Sequence, residues 1–131
     1  DVANYVHQKV SDVFVERKFA TSVNVIPGLV EETMSSCNSY KNAFYVDFDL
    51  DIYSPTKYAF SYLVEQGLIV KGTFIGYDDW GGTPHENFEH GESRAHKEIS
   101  DEYGIKMTKI YEGGQGDPHL QTVWIVDEVE Q

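Results

Sequence analysis

Two groups of carboxylates are the residues of this chain best suited to chemistry. The first group is Asp47, Asp49 and Asp51, and the second is the adjacent pair Asp78 and Asp79. Each group ends a strongly apolar, strand-like run, and the carboxyl ends of parallel strands meet at one edge of a sheet. Carboxylate oxygens are ligands for hard divalent cations such as Mg²⁺, Ca²⁺ and Mn²⁺. The sequence therefore predicts a cation site at such an edge.

Histidines supply the other candidate chemistry. His85 and His90 flank two glutamates, but the zinc-protease motif needs its second histidine four residues after the first, where this chain has Glu89. A solvated loop and a lid over an acceptor remain as alternatives. His96 shares a predicted helix face with Glu92, and imidazole titrates near neutrality. It is either a base near the cation or half of a solvated pair on the helix surface.

Helical and strand-like segments alternate along the chain. Ser54 is expected to cap a helix that begins at Pro55 and ends at Gly67, and Gly104 is expected to end the last helix. The alternation indicates a mostly parallel sheet closed by a carboxy-terminal antiparallel hairpin, in one domain over residues 1–131. The predicted helices are Val2–Lys18, Leu29–Met34, Pro55–Val64 and Glu92–Tyr103, and the predicted strands are Ser22–Ile26, Ala43–Phe48, Thr73–Tyr77, Ile105–Tyr111 and Gln121–Val126.

Composition excludes some partners. The 22 acidic residues outnumber the 10 lysines and arginines and give a formal net charge of -12, so phosphate backbones and anionic membranes would be repelled. No apolar run approaches the roughly 18 residues that span a bilayer. Cys37 is the only cysteine, so no intrachain disulfide can form. These features predict a cytoplasmic protein that binds neither nucleic acid nor membrane.

The acidic groups and their surroundings resemble a known family. The segment Asp49–Thr56 (DLDIYSPT) precedes a helix, and Asp78–Trp80 (DDW) follows the next strand. Together they resemble the class I S-adenosylmethionine-dependent methyltransferases, most closely the macrocin-type sugar O-methyltransferases. Gly91–Ala95 (GESRA) is similar to a motif of related members. The resemblance covers roughly Ser22–Val126 and implies a three-layer α/β/α, Rossmann-like sheet.

The resemblance implies roles for individual residues. Asp49, Asp78 and Asp79 would hold Mg²⁺, which polarises the oxygens of a vicinal diol or catechol-like acceptor so that one can attack the methyl sulfonium. Strand alternation places Asp47, Asp49 and Asp51 on one face, and Asp49 is the favoured ligand. Tyr53 and Trp80 either stack on the acceptor or pack in the core. The candidates for contacting the acceptor or supporting the ligands are Asp51, Tyr53, Trp80, Glu92 and His96.

The sequence lacks the half of the family's fold that binds the cofactor. The family's glycine-rich turn follows its first strand, in a part of the fold that precedes this chain. The cluster at residues 113–116 falls between two strands and is expected to be a hairpin turn. We therefore expect a carboxy-terminal portion of a methyltransferase that is inactive in isolation, because S-adenosylmethionine needs the missing half.

Two functions remain open at this stage. The first is Mg²⁺-assisted O-methylation of a small-molecule or sugar hydroxyl. The second is a non-catalytic, acidic α/β module that serves binding or assembly. The missing strands would also leave the Ala43–Phe48 strand with an open side, and open strand edges pair with other chains. A homodimer that covers this edge is therefore predicted.

Overall fold

A computed structural model describes residues 26–37, 41–81, 91–113 and 120–130. The chain divides into two compact units, residues 1–36 and 37–131. In the first unit, helix α1 spans Val30–Thr33, within the predicted helix Leu29–Met34, and a 3-10 helix at Met34–Ser36 continues two residues past the predicted end. The predicted helix Val2–Lys18, and all of the predicted strand Ser22–Ile26 except Ile26, lie outside the described residues. The single domain stays a prediction.

The second unit contains every helix and strand predicted for it, with small shifts at their ends. No helix in the described part of the chain is both long and apolar enough to cross a membrane. In chain order the elements are β1 (Tyr45–Phe48), α2 (Tyr53–Glu65), β2 (Phe74–Tyr77), α3 (Gly91–Tyr103), β3 (Ile105–Glu112) and β4 (Thr122–Val129).

The four strands form one mixed sheet in the order β1-β2-β4-β3. β1 pairs with β2 in parallel, whereas β4 is antiparallel to both β2 and β3. The antiparallel hairpin is confirmed. The expectation of a mostly parallel sheet is wrong, because only one of the three adjacent strand pairs is parallel. The cause is the position of β4, which returns from the hairpin into the sheet between β2 and β3. Three strands therefore run in one direction while only one adjacent pair is parallel.

Helices α2 and α3 pack against each other on one face of the sheet. Phe48 of β1 contacts Phe60 of α2, with ring centroids 5.4 Å apart. Tyr77 of β2 contacts His96 of α3, with ring centroids 5.5 Å apart. These strand side chains and Ile75 are almost fully buried, so the core lies between this face and the two helices. The third layer of the expected fold stays a prediction.

The opposite face of β1 and β2 is more open. Tyr45 is 48% exposed, and its hydroxyl donates to Asp47 at 3.0 Å. Both side chains lie above Gly76 of the neighbouring strand, where an added Cβ would collide with them. β1 is an edge strand of the described sheet, and the homodimer that would cover it stays a prediction.

Helix α2 begins at Tyr53, two residues before the predicted start. Ser54 is therefore inside the helix, and the N-cap is Ile52, whose side chain makes no capping bond. Pro55 is tolerated because the first four N–H groups of a helix have no intrahelical partner. Thr56 Oγ1 donates to the Ile52 carbonyl at 2.8 Å and ties the side chain back to the helix start.

Gly67 ends helix α2 as predicted. Its φ is +67°, and the Leu68 amide donates to the Leu63 carbonyl at 2.9 Å, which is the Schellman arrangement. An added Cβ would meet nothing within 4 Å, so the backbone angle alone favours glycine.

We expect Gly67→Ala to lower the free energy of unfolding by about 1 kcal/mol, because an alanine in the left-handed region is strained. Gly67→Asn should lose less, since asparagine tolerates this region. Urea unfolding of both variants measures the difference. Gly81→Ala is the control, because its Cβ would make an ordinary contact of 3.4 Å with Leu120. Equal stability of Gly67→Ala and wild type would contradict the expectation.

Candidate metal centre

The parallel pairing of β1 and β2 brings the two acidic groups to one edge of the sheet. Phe48 and Tyr77, the last residues of these strands, are paired in register. The Asp78 amide continues the pairing by donating to the Phe48 carbonyl at 3.0 Å. Asp49 and Asp78 therefore leave their strands side by side.

Asp49, Asp78 and Asp79 offer one carboxylate oxygen each, and these oxygens lie within 4.8 Å of one another. Asp49 is exposed, Asp78 is partly exposed and Asp79 is 8% exposed. When ionised, carboxylates at this separation repel one another by on the order of 1 kcal/mol per pair near water. A cation among them would remove that repulsion. The structure thus brings together the three residues that sequence analysis favoured as ligands.

Asp47 is separated from this group. It pairs with Gly76 inside the sheet, and its side chain accepts the Tyr45 hydroxyl on the open face. The alternation that placed Asp47, Asp49 and Asp51 on one face therefore fails, because β1 ends at Phe48 and the chain turns after it.

Glu92, in the first turn of α3, is fully buried beneath the acidic edge. Its Oε1 accepts the Leu50 amide at 3.1 Å and its Oε2 accepts the Asp79 amide at 3.0 Å. Burial raises the pKa of Glu92 to about 7, and the charge of Asp79 adds to this, while hydrogen bonds from the backbone amides of Leu50, Asp79 and Asp51 oppose it. Sequence analysis gave Glu92 only as one of five supporting candidates.

Asp51 adopts a backbone conformation that is rare for a residue with a side chain. Its φ is +61°, and the Ile52 amide donates to the Leu50 carbonyl at 2.6 Å across it. This three-residue turn with a positive central φ is the strained form of the γ-turn. The side chain of Asp51 is exposed, and it is not in the group of three oxygens.

Gln121 is a neighbour of the site that sequence analysis missed. Its Nε2 donates to Asp78 Oδ1 in a short hydrogen bond. Gln121 directly precedes β4, and Tyr77 pairs with Thr122 at the start of that strand. Only knowledge that β4 lies beside β2 would have revealed this contact, because the two residues are far apart in sequence.

Trp80 and His96 belong to an aromatic cluster rather than to the group of three oxygens. The His96 ring lies 4.9 Å from the Trp80 ring and 4.5 Å from the Trp124 ring, measured between centroids. Its Nδ1 is 3.0 Å from the hydroxyl of Tyr77. Burial lowers the pKa of His96 to about 4, which keeps the imidazole neutral at neutral pH.

The side chain of Tyr53 contacts charged side chains of α2 and α3. Its hydroxyl donates to Glu98, which also accepts from Lys57 and from Arg94, each at 2.8 Å. The Arg94 guanidinium lies 4.1 Å from the centre of the Tyr53 ring. Hydrogen bonds from Lys57, Tyr53 and Arg94 lower the pKa of Glu98 to about 2. Arg94 and Glu98 are four residues apart on α3 and form an ion pair.

The three aspartates fit a hard divalent cation. Three carboxylates supply only oxygen donors, as Mg²⁺ and Ca²⁺ prefer. Of the glycine cluster at residues 113–116, only Gly113 is among the described residues, and the cluster falls in sequence between the antiparallel neighbours β3 and β4. No protein-family model, no curated protein and no solved structure matches this chain.

The positive φ of Asp51 predicts that replacing it with glycine costs less stability than replacing it with alanine, which is the reverse of the usual order in loops. Both Asp51→Gly and Asp51→Ala remove the carboxylate, but only glycine accepts a φ of +61° without strain. We expect the glycine variant to be about 1 kcal/mol more stable than the alanine variant in urea unfolding. At an ordinary loop position alanine is the more stable of the two. An alanine variant at least as stable as the glycine variant would show that the positive φ is not kept in solution.

The environment of His96 leads to an expected acid sensitivity. The unfolded chain takes up a proton near pH 6.5, whereas the folded protein does so only near pH 4. Stability should therefore fall as the pH drops through this window, by up to about 3 kcal/mol. Among the described residues, Tyr77, Trp80 and Trp124 surround the ring, and the charge of Asp101 acts in the opposite sense to burial.

His96→Phe keeps an aromatic ring and removes the titration. The raised pKa of Glu92 acts in the opposite direction, adding stability as the pH falls below about 7, but it is common to both proteins. The measurement is therefore the difference in unfolding free energy between wild type and His96→Phe from neutral pH to pH 4. A difference that does not change with pH would contradict the expected burial of His96.

Proposed function

We propose that residues 37–131 form the metal-binding, carboxy-terminal part of a methyltransferase that uses a divalent cation to methylate a hydroxyl of a small molecule or sugar. The observation that carries this proposal is the group of three oxygens from Asp49, Asp78 and Asp79, which lie within 4.8 Å of one another. They stand at the carboxyl ends of two parallel strands, where open α/β sheets bind their ligands.

The exposure of the three aspartates supports binding of an acceptor to the same cation. Asp79 is nearly buried, whereas Asp49 is exposed and Asp78 is partly exposed. A cation held here would therefore keep a side that faces solvent. A bound divalent cation supplies Lewis-acid polarisation of the acceptor oxygens and orients them. This chain's own part is to hold the cation through Asp49, Asp78 and Asp79.

Methyl transfer is assigned to a protein that includes the cofactor half, and no catalytic step is assigned to residues 37–131 alone. A second candidate function is a non-catalytic acidic module for binding or assembly. It is favoured by one observation: the glycine cluster falls in sequence between two antiparallel strands, whereas a nucleotide-binding glycine turn lies between a strand and a helix. Cation binding favours the first function, because a module that lost its chemistry has no need of a cation.

Titration with Mn²⁺, followed by electron paramagnetic resonance, tests the proposal on the whole chain. Wild type should bind one Mn²⁺, and Mg²⁺ should compete for it. Asp49→Asn and Asp79→Asn should each weaken binding at least tenfold, about 1.4 kcal/mol, because each loses a charged oxygen ligand. S-adenosylmethionine should not bind to the chain with or without Mg²⁺, as measured by calorimetry.

Asp127→Asn is the matched control, because Asp127 is an exposed carboxylate of β4 that accepts only the Thr108 hydroxyl among the described contacts. It should bind Mn²⁺ as wild type does. Equal affinity of wild type, Asp49→Asn and Asp79→Asn would overturn the proposed cation site. No binding of either Mn²⁺ or S-adenosylmethionine would favour the non-catalytic module.

A further inference from the structure

One carboxylate joins the two loops that carry the proposed ligands. Glu92 Oε1 accepts the amide of Leu50, the residue directly after Asp49, at 3.1 Å. Its Oε2 accepts the amide of Asp79 at 3.0 Å. Each oxygen thus holds one loop, and both belong to a fully buried side chain in the first turn of α3.

These contacts oppose the electrostatic repulsion among the aspartates of the acidic edge. Three carboxylates that converge without a cation repel one another, which pushes the two loops apart. Glu92 opposes this movement by binding backbone amides, so the side-chain oxygens of Asp49 and Asp79 are not used in the contact.

We propose that Glu92 is a positioning residue, which fixes the spacing of the two loops so that Asp49 and Asp79 are in place before a cation binds. This inference rests on the proposed function only in taking a divalent cation as the ligand. Sequence analysis could not single out Glu92 among the supporting candidates, because the residues that it contacts, Leu50 and Asp79, are distant in sequence.

The chemistry of the side chain explains why glutamate is needed. A carboxylate has two accepting oxygens, one for each loop. Glutamine has only one accepting oxygen. Its NH₂ group, which is a donor, would stand opposite one of the two backbone N–H groups and could not accept from it. Glu92→Gln therefore keeps the volume of the side chain and releases one loop.

The test combines Mn²⁺ affinity with amide exchange. Glu92→Gln should weaken Mn²⁺ binding at least tenfold. Without a cation, the amides of Leu50 and Asp79 should exchange slowly in wild type, and at least one of them should exchange faster in the variant. Glu102→Gln is the matched control, since Glu102 is an exposed glutamate of the same helix.

A second control separates positioning from general loss of stability. Ile99→Val removes a methyl group from the buried face of α3 and should lower the melting temperature while leaving Mn²⁺ affinity as in wild type. All titrations are made at a temperature at which each variant is folded. An affinity loss in Glu92→Gln that Ile99→Val does not share supports the role of Glu92.

The other outcomes overturn the inference in distinguishable ways. If wild type binds Mn²⁺ and Glu92→Gln binds it equally well, the inference fails and the proposed function stands. If Ile99→Val loses as much affinity as Glu92→Gln, the effect is general and the inference also fails. If wild type binds no Mn²⁺, the proposed function fails and the inference fails with it. If Glu92→Gln does not fold, the exchange rates of the wild-type protein decide the matter. The inference then fails if the amides of Leu50 and Asp79 exchange as fast as amides that make no hydrogen bond.

Discussion

The parallel pairing of β1 with β2 is the constraint on which the rest of the described structure depends. It pairs Phe48 with Tyr77, so both strands end at the same edge of the sheet. The aspartates that follow the two strands therefore leave the sheet side by side. A parallel pair needs a crossover, and α2 provides it. The same pairing directs Phe48 and Tyr77 towards α2 and α3, which forms the core directly beneath the acidic edge. Site and core are therefore built from the same two strands.

Helix α3 shows how neighbours decide the charge of buried groups. Glu92 and His96 are one turn apart on its inner face, and burial disfavours the charged form of both. Glu92 faces amide donors from two loops, which offset part of the cost of an ionised carboxylate. His96 is surrounded by aromatic rings and meets one hydroxyl, so burial disfavours an imidazolium by more than the charge of Asp101 favours it. In the described residues, no fully buried side-chain polar atom lacks a hydrogen-bond partner.

Sequence alone could predict most elements of the second unit, because period and turn residues are local signals. It could also select Asp49, Asp78 and Asp79, since acidic residues after buried strands meet at one edge whenever the strands are parallel neighbours. It could not place β4 between β2 and β3, because a hairpin pattern does not say which of its strands joins the sheet. Gln121 was missed for the same reason. The contacts of Glu92 depend on how α3 docks, which no local pattern encodes.

Amide groups make contacts at the acidic edge: the Gln121 side chain donates to Asp78, and the backbone amides of Leu50 and Asp79 donate to Glu92. The ion pairs that the described residues form on α2 and α3 and along the β3–β4 hairpin do not involve Asp49 or Asp78. Amide donors orient a carboxylate but do not cancel its charge. The chain also carries a net charge of -12, which concentrates cations near its surface. The convergence of Asp49, Asp78 and Asp79 and this net charge therefore both support the cation site proposed above.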